Sequence, residues 1–293
     1  MNPVIRVEEL QKRYGESLAL DIPHLAINKG KIVGLLGENG AGKSTFIDLI
    51  SGVSEPSRGQ VEVGEGRVGW CSQRLVIDWF VSGWMNVWLG ACLGGLRGRQ
   101  AKTVTDEAIA QVGLSDANLK DTPEVLSGGQ QQRLMIARTF AMRPDVYLLD
   151  EPTVGLDVQN LEHFVDHVRN VSQAGATVVI SSHEFEAVED LIDDVILLSG
   201  GVVKFFGSKS DFMDRFVTKE TVRIVLDKAI SIDDLCMAEG FSAEVQGYTV
   251  VLDVPRGTEF KSVLRCLPSH ADVLEYSRQT VGLREAVKWA GRH

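Results

Sequence analysis

The sequence predicts an α/β fold with a largely parallel sheet, followed by a small second α/β unit. Two runs support this fold, because Ile32–Leu36 and residues 146–149 are apolar without alternation, as in strands that are covered on both faces. A helical periodicity follows the first run at residues 44–50 and the second at Val158–Gln173. Since strand and helix alternate, the strands are expected to be parallel.

The N-terminal part is predicted to consist of short strands separated by turns. Residues 54–59 (SEPSRG) combine Ser, Pro and Gly, and residues 12–15 (KRYG) end in glycine. The strands expected around these turns lie at residues 5–7, 18–27 and 66–72.

Residues 75–119 are predicted to be helical. Within them, residues 105–111 (TDEAIAQ) begin with Thr105 as a helix cap and an acidic first turn. A further helix is predicted over residues 130–142, ending before Pro144. The remaining predicted elements are a strand at Thr177–Ser181, a helix at residues 184–191 and a strand at residues 195–198.

The pattern changes after residue 207, which predicts the domain boundaries. We expect a first domain at 1–207 with a helical subdomain at about 75–125, a linker helix at 208–219 and a C-terminal α/β domain at 220–293. In the C-terminal domain, strands are predicted at residues 221–226, 248–254 and 273–276, and helices at residues 232–239, 259–267 and 283–289.

Composition excludes some classes of protein. The formal net charge is −10, which argues against a surface that mainly binds nucleic-acid phosphates. The 4 cysteines form no C-x-x-C pair, so they predict neither a disulfide framework nor a zinc site and suit a reducing cytosol. The N-terminal segment MNPVIRVEEL lacks the apolar core of a signal peptide. We therefore expect a cytoplasmic protein without a nucleic-acid partner.

Residues 79–96 form an uncharged stretch that is near the lower length limit for a membrane span. Its polar residues and glycines argue against a span, because the glycines are expected to break a helix into pieces. The stretch is therefore predicted to form an apolar surface.

The segment GENGAGKS at residues 37–44 has the pattern of a phosphate-binding P-loop, placed between a buried strand and a helix. Its glycines allow backbone N–H groups to surround phosphates, and the helix N-terminus adds a favourable dipole. Lys43 is expected to reach the β- and γ-phosphates of a nucleotide, and the Ser44 hydroxyl to ligate Mg²⁺. The residues expected to contact the nucleotide here are Gly37, Asn39, Gly40, Gly42, Lys43, Ser44 and Thr45.

The segment VYLLDE at residues 146–151 predicts the second half of the same site. Asp150 would hold Mg²⁺, through water, and Glu151 would accept a hydrogen bond from an attacking water molecule and polarise it. Adjacent carboxylates can also be plain surface acids. Their position directly after an apolar strand, in a chain with a P-loop, favours the catalytic interpretation.

The segment LSGGQ at residues 126–130 resembles the signature motif of the ATP-binding cassette (ABC) ATPases, and its distance ahead of Asp150 also matches that family. The resemblance covers about residues 4–206. It implies a P-loop NTPase of the ABC cassette type, a mixed sheet with a helical subdomain, with ATP and Mg²⁺ as ligands. At the start of a helix, the motif presents donors that suit an anion. Its expected nucleotide contacts are Ser127, Gly128, Gly129 and Gln130.

The resemblance assigns roles to further residues. Tyr14 matches the aromatic residue that stacks on adenine, and Gln73 matches the glutamine that senses Mg²⁺ and the transport partner. His183 matches the histidine that contacts the γ-phosphate, and residues 152–157 resemble the loop that crosses the dimer interface. The implied catalytic residues are Glu151, His183 and Gln73, and the implied metal ligands are Ser44, Gln73 and Asp150.

In this family two cassettes enclose two ATP molecules, so the resemblance implies a homodimer or heterodimer in which the signature motif acts in trans. It also implies that the helical subdomain docks an integral membrane permease. Aromatic residues and Met are favoured at such interfaces, although any one of them can equally belong to the subdomain's own core. The expected contacts are Trp79, Phe80, Trp84, Met85 and Trp88.

The C-terminal unit resembles the extension of drug- and polysaccharide-exporter ATPases, which implies a peripheral subunit at the cytoplasmic face of the membrane. An importer remains an alternative. A soluble ABC ATPase of DNA repair or translation is a further alternative, but such proteins usually carry a coiled-coil insertion or two cassettes. A regulatory subunit without turnover is disfavoured, since both Glu151 and His183 are present.

Overall fold

The computed structural model describes residues 3–182, 185–279 and 281–291. The chain forms two compact units, which divide between Lys209 and Ser210. Within the described ranges, every helix is too short or too polar to cross a bilayer.

The first unit alternates strands and helices over most of its length. In chain order its elements are β1 (Pro3–Tyr14), β2 (Ser17–Asn28), β3 (Ile32–Leu36), α1 (Lys43–Ile50), β4 (Arg58–Val63), β5 (Val68–Cys71), α2 (Gly83–Leu93), α3 (Gly98–Gln111), α4 (Gly128–Met142), β6 (Val146–Asp150), α5 (Val158–Gln173), β7 (Thr177–Ser181), β8 (Asp194–Ser199) and β9 (Val202–Ser208).

Six strands form the central sheet, in the order β5-β6-β7-β3-β8-β9. All neighbouring strands are parallel except β8 and β9, which are antiparallel. Every residue of β3, β6 and β7 is buried, as expected for strands that are covered on both faces. The predicted mixed, largely parallel sheet is thereby confirmed.

A second, antiparallel sheet has the order β2-β1-β4. The main core brings the apolar residues of β1 and β2 together with those of the central sheet and with Phe46 and Ile47 of α1. This packing holds α1, and with it the loop that precedes α1, against both sheets.

Helices α2, α3 and α4 pack together beside this core. The expectation that glycines break the stretch at residues 79–96 was wrong only at Gly90, because α2 begins at Gly83, continues through Gly90 and ends before Gly94 and Gly95. A Cβ atom at Gly90 would overlap the carbonyl oxygen of Arg138, and one at Gly94 would overlap that of Met142. Glycine is needed there because the backbones of α2 and α4 approach so closely.

Three local helix predictions in the first unit were wrong. Residues 75–82, 94–97 and 112–119 are not helical, and Thr105 lies inside α3, where its buried hydroxyl donates to the Ala101 carbonyl at 2.7 Å. A hydroxyl that bonds four residues back is compatible with a helix interior, so it does not mark a helix start. In place of the predicted helix at 184–191 there are two 3₁₀ turns, at Phe185–Ala187 and Glu189–Leu191, while residue 184 lies outside the described residues.

Two edge strands of the first unit were missed in the sequence, and so was a third, at residues 242–246 of the second unit. β4 and β9 lie at the edges of their sheets, and most of their residues are partly or fully exposed. Neither strand therefore carries the apolar run by which the central strands were recognised.

The second unit is a four-stranded sheet with short helices. In chain order, beginning at the boundary, the elements are α6 (Lys209–Phe216), β10 (Lys219–Leu226), β11 (Ser242–Gln246), β12 (Thr249–Pro255), α7 (Phe260–Leu264), β13 (Val273–Gln279) and α8 (Leu283–Ala290). The strand order is β11-β12-β10-β13, and all neighbours are antiparallel.

The helix predicted at residues 232–239 was wrong. Only a 3₁₀ turn forms at Ile232–Asp234, closed by a capping box between Ser231 and Asp234. Ile232 and Met237 are exposed while Leu235 packs into the core, so the segment has no continuous apolar face that could hold a helix.

Candidate active site

The predicted P-loop lies between β3 and α1, where the chain leaves the central sheet. Gly37, Gly40 and Gly42 have φ angles of 150°, 80° and 102°. A Cβ atom at Gly37 would overlap the Leu198 carbonyl oxygen, and one at Gly42 would lie 2.7 Å from a Leu20 methyl carbon. Glycine is therefore required at both positions, by backbone conformation and by space.

The N-terminus of α1 has no side-chain cap and no acidic residue in its first turn. Its free N–H groups and the positive end of the helix dipole therefore favour a bound anion. This arrangement suits the phosphates of a nucleotide, as the loop pattern predicts.

Lys43 begins α1, and its ammonium group turns back over the loop. The Nζ atom donates to the carbonyl oxygens of Gly37 at 2.8 Å and Glu38 at 3.1 Å. Burial lowers the pKa of Lys43, while the carboxylates of Glu151 and Asp150 oppose this shift. An ammonium group has three donors, so one remains for a phosphate oxygen.

A cavity of about 640 Å³ opens beside the loop. This volume is within the usual range for small-molecule sites, roughly 300–1,000 Å³. The predicted site residues that line it are Asn39, Gly40, Gly42, Lys43, Ser44, Thr45, Gln73 and Glu151. The fold thus brings Gln73 and Glu151 to the P-loop from other strands of the sheet.

Five further lining residues were missed in the sequence, namely Ser17, Leu18, Ala19, Gly200 and Gly201. Gly201 connects the turn after β8 to the P-loop and to β2. Its N–H donates to the Ala41 carbonyl at 3.2 Å, and its carbonyl accepts from the Asp21 N–H at 2.8 Å. The pair of glycines after β8 was a turn signal in the sequence, but nothing local indicated which loop the turn would contact.

Asp150 is the last residue of β6 and is 4% exposed. Its Oδ1 atom accepts a short hydrogen bond from the Ser181 hydroxyl of the neighbouring strand β7. Ser181, which the sequence did not reveal as a site residue, thereby orients the carboxylate.

Glu151 follows directly, and its φ angle is 52°, a left-handed conformation that is uncommon for a residue other than glycine. Its N–H lies 3.1 Å from both the carbonyl oxygen and the hydroxyl oxygen of Ser181. The side chain is 3% exposed and lines the cavity. Backbone strain of this kind is frequent at catalytic positions.

The signature motif begins α4 with a capping box. The Ser127 hydroxyl accepts from the Gln130 N–H at 3.3 Å, and the Gln130 side chain accepts from the Ser127 N–H at 2.9 Å. Ser127 and Gly128 are exposed, and neither they nor Gly129 line the cavity of their own chain. A Cβ atom at Gly129 would come within 3.1 Å of the Gly155 carbonyl oxygen in the loop at 152–157.

The loop at 152–157 ends at Asp157, which caps α5. Its carboxylate accepts from the Asn160 N–H at 2.9 Å and from the Asn160 side chain at 2.7 Å, and these two bonds lower the pKa of Asp157. Asn160 also packs on Gly113, where no side chain would fit. Arg133 of α4 donates to the Gly113 carbonyl at 3.0 Å. Gly113, Arg133 and Asn160, which the sequence did not indicate as site residues, thus connect this loop to the helical subdomain.

Neither Gly37 nor Asp150 is among the residues that line the cavity, and Tyr14 also lies apart from it. Tyr14 is 54% exposed at the end of β1, with the Lys12 ammonium 5.3 Å from its ring centre, and it does not line the cavity. His183 lies outside the described residues.

Known proteins are similar to this chain in sequence and fold. A model of the family described as ABC transporter matches residues 20–154. The linearmycin resistance ATP-binding protein LnrL of Bacillus subtilis is 31% identical over 223 residues, covering 72% of this chain and 71% of that protein. The cobalt import ATP-binding protein CbiO of Rhodobacter capsulatus is 35% identical over 221 residues, covering 69% and 78%.

A solved structure is similar over the same region. It is the ATP-binding cassette MJ0796, in a dimeric post-hydrolysis state bound to ADP and Pi. The TM-score is 0.63 at 25% identity, over 70% of this chain and 98% of that chain. ATP-binding subunits of ABC transporters act with membrane permeases and form dimers. From its motifs, its fold and these relatives, the chain belongs to the ABC transporter family, as an ATP-binding and ATP-hydrolysing subunit.

Proposed function

We propose that this chain is the ATP-driven motor of an exporter, held at the cytoplasmic face of the membrane by a separate permease. The observation that carries the proposal is the cavity that the P-loop shares with Gln73 and Glu151. Hydrolysis needs the phosphates, the oxygen ligands of a metal ion and a base in one place, because phosphoryl transfer depends on positioning and electrostatics.

Each side chain has a distinct task in the proposed reaction. The N–H groups of the loop and the Lys43 ammonium bind the β- and γ-phosphates, and the exposed ring of Tyr14 stacks on adenine. Glu151 accepts a proton from water as the water oxygen bonds to the γ-phosphorus, and the bond from that phosphorus to the ADP oxygen breaks. His183 would contact the γ-phosphate, as the sequence predicts.

Oxygen donors for Mg²⁺ come from Ser44, Gln73 and Asp150. Among the residues that the structure describes, no group of three or more His, Cys, Asp or Glu side chains could hold a metal ion. The hydroxyl, amide and carboxylate oxygens suit an ion that takes its other ligands from phosphates and water. When bound, Mg²⁺ would neutralise charge that develops between the β- and γ-phosphates.

The proposed working form is a dimer in which the signature motif acts on the partner's nucleotide. Ser127 and Gly128 support this arrangement, since they are exposed at a capped helix N-terminus away from their own cavity. The Gln130 side chain stabilises this helix N-terminus, because it accepts a hydrogen bond from the Ser127 N–H. The partner cassette is a second copy of this chain or a related chain.

We expect Ser127→Arg to block ATP-dependent dimerisation and to lower ATP hydrolysis at least about 10-fold, because an arginine at this exposed turn obstructs closure over the partner's phosphates. Binding of a fluorescent ATP analogue to the separate chain should persist. Light scattering with Mg·ATP and phosphate release measure the two effects. Ser115→Arg, at another exposed serine of the first unit, is the control. Unchanged dimerisation and turnover in Ser127→Arg would contradict action in trans.

The proposed permease contact is an apolar edge formed by residues 75, 76, 79 and 80. Phe80 is 95% exposed and Trp79 is 37% exposed. Trp84, Met85 and Trp88 are half-buried, and the Trp84 indole donates to Asp106 at 2.8 Å and stacks on Trp88. Phe80 is therefore the most accessible anchor for a partner, and Trp84 also serves the subdomain's own packing.

Phe80→Asp is expected to weaken recovery of the permease about 10-fold in a pull-down while leaving the basal ATPase rate unchanged, because it places a charge at an apolar contact. Val53→Asp, at an exposed apolar residue outside the edge, is the control. Recovery of the permease at the wild-type level with Phe80→Asp would exclude this edge as the contact.

Export is the proposed direction for two reasons. One relative is named for resistance to linearmycin, and resistance by transport requires that a compound leave the cell. The C-terminal unit also resembles, in sequence, the extension of exporter ATPases. Import is the alternative, since another relative is named for cobalt import.

A further inference from the structure

Residues 79–105 differ in charge from the rest of the chain. They include no Asp or Glu and three cations, Arg97, Arg99 and Lys102, in a chain whose formal net charge is −10. All three cations are exposed. The proposed hydrolysis uses none of them. A local excess of positive charge on an otherwise acidic protein attracts an anionic partner to that place.

The cations lie at the end of a helical hairpin formed by α2 and α3, which pack together. The Trp84 indole of α2 donates to the Asp106 carboxylate of α3 at 2.8 Å, and only residues 94–97 connect the two helices. The helices are therefore antiparallel. Lys102, one helical turn before Asp106, lies nearer the connection and beside the last turns of α2. We call residues 89–102 the hairpin tip.

Hydrogen bonds hold two arginines at the hairpin tip. The Arg97 guanidinium donates to the carbonyl oxygens of Cys92 and Leu96, at 2.7 Å each. Arg67, just before β5, donates to the Gly94 carbonyl and brings a further cation to the tip. Helix α4, which packs on both helices of the hairpin, has no acidic residue. Its side chains therefore leave this positive charge uncompensated.

The hairpin tip also exposes apolar side chains. Leu93 is 65% exposed and Leu89 is 36% exposed, and their spacing of four residues puts them on one face of α2. The one polar side chain of α2, that of Asn86, is buried. The residues of α2 that are not buried are Trp84, Met85, Trp88, Leu89, Cys92 and Leu93. The outward face of this helix is therefore entirely apolar.

We propose that the hairpin tip contacts anionic lipids of the membrane that holds the permease. Arg97, Arg99 and Lys102 bind the phosphate groups of the lipids, and the leucines of the tip enter the boundary between headgroups and acyl chains. Exposed apolar side chains beside cations, without acids, are typical of segments that lie at a membrane surface. A projecting turn between two helices suits a flat bilayer, whereas a peptide helix binds in a groove.

The test is co-sedimentation of the full chain with vesicles of phosphatidylcholine, alone or mixed with an equal part of phosphatidylglycerol. We expect binding to the anionic vesicles that weakens as salt is added, and little binding to the neutral ones. The vesicles contain no permease, so the result does not depend on the permease contact proposed above.

Arg99→Gln/Lys102→Gln should bind the anionic vesicles about 30-fold more weakly, since each cation near an anionic membrane contributes about 5-fold. Arg6→Gln/Lys204→Gln is the matched control, because it removes the same two charges from exposed positions of β1 and β9. It should bind as the wild type does.

Leu93→Asp should weaken binding about 10-fold, because it removes an apolar side chain and adds a charge that the lipids repel. Val53→Asp makes the same change of charge at another exposed apolar residue and is the control. All four variants should keep the basal ATPase rate without vesicles, which checks that they are folded.

Three results would each overturn the proposal. The first is absence of binding to the anionic vesicles, which would leave the tip to an acidic protein partner. The second, measured on the unmodified chain, is equal binding to neutral and anionic vesicles or binding that salt does not weaken. The third is wild-type binding by both Arg99→Gln/Lys102→Gln and Leu93→Asp.

Discussion

Replacing Glu151 by glutamine is expected to reduce ATP turnover by about 10²- to 10⁴-fold while ATP binding is retained. Glutamine has nearly the shape of glutamate and fits the same buried position beside the P-loop. Its amide cannot take a proton from the attacking water, so the bond to the γ-phosphorus forms slowly. ATP then stays bound, and the closed dimer is expected to accumulate.

Phosphate release under single-turnover conditions measures the chemical step, and light scattering with Mg·ATP measures the dimer. Glu162→Gln, at an exposed position of α5, is the control and should hydrolyse ATP at the wild-type rate. Normal turnover by Glu151→Gln, at full nucleotide occupancy, would exclude the residue as the base.

Lys43→Met is expected to weaken Mg·ATP binding and to reduce hydrolysis by about 10²- to 10³-fold, because a positive charge that faces the transferred phosphate is lost. Burial lowers the pKa of Lys43, so the folded chain holds the ammonium less favourably than the unfolded chain does. Methionine removes this cost but also removes the two hydrogen bonds to the Gly37 and Glu38 carbonyls, so we expect little net change in the thermal midpoint.

Equilibrium binding of a fluorescent ATP analogue, steady-state phosphate release and the thermal midpoint together test Lys43→Met. Lys102→Met, on the exposed face of α3, is the matched control. The role of Lys43 would be refuted by wild-type affinity and turnover in the variant.

The parts of the site that lie within one short segment could be predicted from the sequence. Lys43 and the capping serine of α4 make their hydrogen bonds with neighbours a few residues away, and the P-loop glycines have backbone conformations that favour glycine. The buried central strands were equally clear, because a strand covered on both faces must be apolar at every position.

Predictions failed where the decisive contact is distant in the chain. Thr105 has the sequence appearance of a cap, yet it lies within a helix whose start is set by packing on α2 and α4. Gly90 has the appearance of a helix breaker, yet it permits the close approach of α2 to the Arg138 carbonyl. β4 and β9 lack an apolar run because their residues are partly or fully exposed.

The sequence by itself predicted the chemistry proposed for this protein, that is, a loop for phosphates, a carboxylate pair at the end of a buried strand and a capped helix turn for a partner's nucleotide. Only the tertiary structure decided what surrounds that chemistry. The turn at Gly201 closes the nucleotide cavity, and Ser181 orients Asp150. The physical reason is that motifs specify local backbone geometry and functional groups, whereas cavities form between segments that meet only when the apolar core is buried.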